Sequence, residues 1–134
     1  MIKVTREDFS VDEVIQSMKN GEMGALAIFN GIVREETDGR RVTRLECQAY
    51  EDVALKKLEE IRARAIEEFG VKDVAIIHRI GSFKASENVL LIVVGSAHSV
   101  EAFKACEFIL KQIKKGIPIW LKEFTGDGKP EGSR

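Results

Sequence analysis

Apolar residues along this chain recur with two periods, and the changes of period mark the elements. In "EDVALKKLEEIRARAIEEFG" (51–70), Val53, Leu55, Leu58, Ile61, Ala65, Ile66 and Phe69 form a helical stripe that stops at Gly70. In "SVEAFKACEFILKQIKKG" (99–116), Phe103, Cys106, Ile109, Leu110 and Ile113 form another inner face, with Ser99 as the expected N-cap and Gly116 as the stop. A shorter helix is expected from Ser10, with Glu13 at its third helical position, to about Asn20; Val14, Ile15 and Met18 give its apolar face. Between these lie apolar runs of strand length: "IKV", about Met23 to Val33, "VTRLECQAY", "VKDVAIIHR", "SENVLLIVVGS" and "IPIWLKEF". Gly31 inside the second run suggests a bulge or a close backbone approach. The polar loop "EETDGRR" carries an Asp-Gly turn signal and is expected to join the second and third strands as a hairpin. Pro118 puts the last strand at an edge or at its own start.

The resulting order is β-α-β-β-α-β-β-α-β. Strands and helices mix without strict βαβ alternation, so the expected class is α+β. One domain is expected over residues 1–124, followed by a flexible tail over 125–134.

Composition narrows the function more than the fold. The chain has 134 residues, 44% of them hydrophobic, enough for a core of its own. Its 21 basic and 22 acidic residues give a net charge of −1, which argues against a general nucleic-acid binder, so any basic site is local. Charged residues interrupt the N-terminus, and the longest apolar run, "VLLIVVG", is too short to span a bilayer. A cytoplasmic protein is expected. Cys47 and Cys106 match no metal spacing and read as two isolated buried thiols.

The candidate chemistry clusters near the C-terminus and at two strand ends. "IKKGIPIWLKE" sets Lys114, Lys115 and Lys122 around the single Trp120. Lys114 and Lys115 either offset the helix dipole in a last turn or face an anion. Lys122 lies two residues after Trp120, so both point to one strand face, where the lysine is either partly desolvated for proton transfer or an edge residue lying over the ring. His98, just before a helix, either caps local backbone or receives an anion at the N-terminus. His78 reads as a residue satisfying local backbone. Arg34, at a strand end beside the polar loop, is either a ligand-facing or a surface arginine. No P-loop, GxGxxG or HExxH occurs.

The phrases "FNGIVREETDGRRVTRLECQAYEDVA", "IIHRIGSF" and "SAHSVEAFKACEFILKQIKKGIPIWLKE", in this order, resemble the large, catalytic subunit of molybdopterin synthase over about Phe9 to Glu123. The resemblance implies an α+β fold of the α/β-hammerhead type and a homodimer within a heterotetramer. The expected partner is a small ubiquitin-like subunit whose Gly-Gly tail ends in a thiocarboxylate. Its sulfur would go to cyclic pyranopterin monophosphate, forming the molybdopterin dithiolene, with no metal or other cofactor of the enzyme's own. By resemblance, Lys114 and Lys122 are the catalytic residues, and Arg34, His98, Ser99, Lys115 and Glu123 bind substrate. The chain departs from the family pattern twice: Ser99 stands where an arginine is usual, and Leu121 where the first lysine of a Lys-[Lys/Arg]-Glu run is usual.

Overall fold

The computed structural model describes residues 1–126 and the backbone of 130–133. A four-stranded sheet runs in the order β1 (Ile2–Thr5), β5 (Asp73–Arg79), β7 (Asn88–Ser96), β2 (Ala25–Ile32). β1 and β5 are parallel; the other neighbours are antiparallel. Both faces of the two central strands, β5 and β7, are covered. Helices α2 (Glu51–Phe69) and α3 (Ser99–Gly116) bury Leu58, Ile61, Ile109 and Ile113 against Val74, Ile76, Leu90 and Ile92. Helix α1 (Val11–Met18) sets Val14 and Met18 on the opposite face, against Ile77, Leu91 and Val93. This is why β5 and β7 read as unbroken apolar runs: alternate residues point to opposite faces, and both faces are dry.

The second sheet runs β3 (Glu36–Thr37), β4 (Arg40–Ala49), β8 (Ile119–Thr125), β9 (Pro130–Ser133), and β6 (Gly81–Phe83) also pairs with β4. Its inner face packs Val42, Leu45, Cys47, Phe83 and Ile119 against Ala54 at the start of α2. The whole is α+β, as expected.

Several local expectations change. The second and third expected strands do not pair: β2 pairs with β7, and β4 joins the other sheet. The polar loop closes on itself, because Asp38 (φ 50°) and Gly39 (φ 77°) form a two-residue turn that brings β3 back onto β4. Two consecutive positive φ values suit a tight hairpin, and an Asp-Gly pair adopts them at low cost. The irregularity at Gly31 is present as a register shift between Gly31 and Ile32. In α2, Val53 is 51% exposed and Ala54 takes its place in the core. In α3, Phe103 is 69% exposed and the inner face uses Ala102 and Ala105 instead, small residues that let the helix lie close to the sheet. The N-cap of α3 is His98, not Ser99, which is the first helical residue. The N-cap of α1 is Ser10, whose hydroxyl accepts from Glu13 N at 3.2 Å. Of the two alternatives for Pro118 the strand start holds: it stands immediately before β8, which itself lies between β4 and β9. Part of the expected tail, Pro130–Ser133, is strand β9, registered on Lys122 to Phe124. Residues 127–129 and 134 of that tail lie outside the described residues.

Cys47 and Cys106 are both buried thiols, and burial pushes the Cys106 thiol up to about 11. His78 is fully buried, with Nδ1 2.9 Å from the Arg79 carbonyl oxygen, in keeping with a local structural role.

Candidate functional site

The site is built around Arg34. Its backbone is anchored on both sides. Val33, 3% exposed, donates to Glu87 O at 3.0 Å and accepts from Ser86 N at 2.9 Å. Glu35 O accepts from Val42 N at 2.9 Å. The side chain leaves this anchored segment and reaches β8. There Arg34 Nε donates to Glu123 Oε2 at 3.0 Å and Nη2 donates to Glu123 Oε1 at 2.7 Å. Thr37 Oγ1, from β3, donates to the same Oε2 at 2.9 Å.

The arrangement is asymmetric. The Glu123 side chain is 12% exposed, whereas that of Arg34 is 64% exposed. A carboxylate accepting from two side chains is held well ionised: the Arg34 hydrogen bonds pull the Glu123 pKa down, burial opposes them, and the Thr37 bond assists. The same pair raises the pKa of Arg34. A guanidinium has five N–H donors. Glu123 occupies the Nε/Nη2 edge, so the Nη1/Nη2 edge is turned away from it, in a fork geometry that suits a phosphate or carboxylate.

Lys114 and Lys115 lie exposed in the last turn of α3. Topology sets them at the Arg34 end of the first sheet. β2 begins opposite Ser96, and its last residue, Ile32, lies opposite Asn88, where β7 starts. Helix α3 follows β7 and packs back along β7 and β2, so its C-terminus returns toward Arg34.

His98 and Ser99 are at the opposite end. Both are exposed at the start of α3, and the His98 side chain makes no capping bond. Lys114 is sixteen residues further along the same helix. At 1.5 Å per residue that separates them by roughly 24 Å. One copy of the chain therefore does not bring His98 and Lys114 to the same small ligand.

On β8 the expected residues divide between two faces. Residues directly opposite in an antiparallel pair share a face. Leu121 lies opposite Cys47 and Glu123 opposite Leu45, on the inner side; Trp120 lies opposite Gln48 and Lys122 opposite Glu46, on the outer side. Lys122 thus faces away from the Arg34–Glu123 pair. The register shows no irregularity at 121–122 that would turn it inward. Trp120 and Lys122 share a face, as their spacing requires, but the ring partner of Trp120 is Tyr50, edge-on at a centroid distance of 5.1 Å. Leu121 packs into the inner cluster with Cys47 and Ile119. Thr37 is the residue that sequence reasoning missed. The Asp-Gly turn beside it was the available signal, since a two-residue turn fixes which residue of β3 faces β8.

This geometry defines an α+β domain with an exposed arginine braced by a carboxylate and two exposed lysines at a helix end. A family model described as MoaE protein matches residues 4–116, and the chain belongs to that family. The molybdopterin synthase catalytic subunit of Pyrococcus abyssi is 41% identical over 123 residues, covering 92% of this chain and 83% of its own length. A crystal structure of molybdopterin synthase from Staphylococcus aureus superposes with a TM-score of 0.89 at 35% identity, covering 96% of this chain and 95% of that one. The same fold recurs, at 21% identity and a TM-score of 0.77, in a complex of subunits 1 and 2 of molybdopterin-converting factor from Helicobacter pylori, covering 96% of this chain and 87% of that one. Among the described residues, no helix is long and apolar enough to cross a membrane.

Proposed function

We propose that this chain is the sulfur-transferring large subunit of a molybdopterin synthase. It takes sulfur from the thiocarboxylated Gly-Gly tail of a small ubiquitin-like subunit and delivers it to cyclic pyranopterin monophosphate. The thiocarboxylate sulfur forms the new C–S bond at a side-chain carbon of the pterin precursor, and the C–O bond at that carbon breaks. Its oxygen leaves as water or, where it is bonded to phosphorus, stays with the opened phosphate ester. Water then breaks its bond to the tail carbonyl, and the tail leaves as a carboxylate. Tail and substrate phosphate are both anions, so the site needs local positive charge even on a chain of net charge −1.

The observation that supports this reading is the Arg34–Glu123 pair, which turns the free edge of an anchored guanidinium outward. Arg34 receives the phosphate. Lys114 stabilises negative charge developing at the tail or moves a proton there, and Lys115 adds to the same field. Since His98 and Lys114 cap opposite ends of one helix, a second copy of the chain supplies His98 and Ser99 to each site. The functional unit is then a homodimer carrying two small subunits.

A second reading has its own support. Leu121, where the family pattern has a lysine, packs into the inner core, and Lys122 faces the other way. A chain so built would bind the small subunit and transfer sulfur weakly or not at all.

Reconstitution decides between them. The chain is mixed with a thiocarboxylated small subunit and cyclic pyranopterin monophosphate, and the dithiolene product is assayed as its fluorescent oxidation product. Product formation, lost on Lys114→Ala without loss of the folded circular dichroism spectrum, is the expected result. A stable complex with the small subunit but no product establishes the second reading. Near-wild-type turnover by Lys114→Ala removes the role given to that lysine.

A further inference from the structure

We propose that Thr37 is a positioning residue for Arg34, acting through Glu123, so that the β3–β4 hairpin sets the direction of the anion-binding edge. The inference rests on the reading of Arg34 as the phosphate ligand. It begins from an imbalance: the exposed Arg34 side chain has little packing to fix its plane, and its orientation is inherited from the carboxylate it grips.

That carboxylate is held at three points. Oε1 takes Arg34 Nη2; Oε2 takes both Arg34 Nε and Thr37 Oγ1. With Arg34 alone the carboxylate and guanidinium would form a planar unit free to swing together about the Glu123 side chain. The Thr37 hydroxyl anchors that unit to a different strand. Thr37 is 8% exposed, so its hydroxyl has little access to water, and leaving it unpaired would be costly. The anchor is set in turn by the Asp38–Gly39 turn, which fixes Thr37 opposite Arg40. Strand β3 is only two residues long, and its other residue, Glu36, is exposed. Its buried contribution is therefore this one hydroxyl, aimed at the site.

Thr37→Val removes the hydroxyl at nearly constant volume; Thr37→Ser keeps it. Two readouts apply. The first is the Nε–H signal of Arg34 in ¹⁵N-resolved NMR, free and titrated with inorganic phosphate. The wild type and Thr37→Ser should show a protected Nε–H that responds to phosphate. In Thr37→Val the signal should exchange faster and respond more weakly. The second is steady-state sulfur transfer. Thr37→Val should raise KM for the pterin substrate about 5- to 10-fold with kcat within about twofold, the effect expected for losing one buried hydrogen bond that orients a ligand. Thr37→Ser should restore KM. Thr37→Ala, which removes the same hydroxyl, replaces Thr37→Val if that variant melts below the assay temperature. An unchanged Arg34 signal in a folded Thr37→Val protein overturns the proposal whatever the activity. A changed signal in a chain whose wild type transfers no sulfur supports the positioning and removes the sulfur-transfer reading instead.

Discussion

Glu123 connects site geometry to stability. Its pKa is lowered chiefly by the Arg34 hydrogen bonds, so it binds protons less readily in the folded chain than in the unfolded one. A group with a depressed folded pKa stabilises the fold fully above its unfolded value, and this contribution fades as pH falls through the folded value. The window therefore opens below the ordinary value of 4.5 and extends downward. Glu123→Gln should destabilise the chain by about 1 kcal/mol at pH 7, the upper part of the range for an ion pair that solvent still reaches. Urea midpoints measured from pH 7 to pH 3 check this. The gap between wild type and variant should hold down to about pH 4.5 and then narrow. A gap that is constant to pH 3 would mean that the variant loses packing rather than charge.

At the scale of elements, the start of α3 depends on a contact remote in sequence. Gly24, just before β2, lies against the backbone of Ala97, just before His98; a Cβ on Gly24 would overlap the Ala97 carbonyl oxygen. The two segments are also tied by Gly24 N donating to Ser96 O at 2.8 Å. Backbone cannot yield as a side-chain tip can. Gly24→Ala should therefore cost about 1 to 3 kcal/mol in thermal unfolding and displace the His98 end of α3 while sparing the Arg34 end. Amide chemical shifts that move at Arg34 as much as at His98 would contradict this local effect. The same elements show what the sequence made legible. The three helices and the strands carrying most of the core were readable, because their periods are long and their stops, such as Gly70 and Gly116, are local. Pairing was not. β2 and β4 are neighbours in the chain, but the dry faces of β7 and the half-dry face of β4 place them in different sheets. Arg34 was a candidate from its position at a strand end and Glu123 from motif resemblance, but their contact spans 89 positions and no local spacing encodes it. Which residue of β8 faces inward followed only once Leu45 was registered on Glu123.

At the scale of the whole molecule, α3 is too long for a site within one chain to hold both of its ends. This separation makes the composite site testable without a ligand-bound structure. His98→Ala and Lys114→Ala should each abolish most sulfur transfer alone. In a mixed dimer the two variants distribute their defects: one site combines both lesions, and the other receives an intact Lys114 from the His98→Ala chain and an intact His98 from the Lys114→Ala chain. Random mixing makes about half of the dimers mixed, each with one intact site of two, so co-refolded variants should regain about a quarter of wild-type activity. Purifying the mixed dimers through two different tags should raise this to about one half. If His98 and Lys114 instead served one site within a single chain, every site in the mixed dimer would lack one of them, and activity would stay at the level of the separate variants. Tandem-tag purification shows that mixed dimers have formed, so an inactive mixture counts against a site shared between two copies rather than against their assembly.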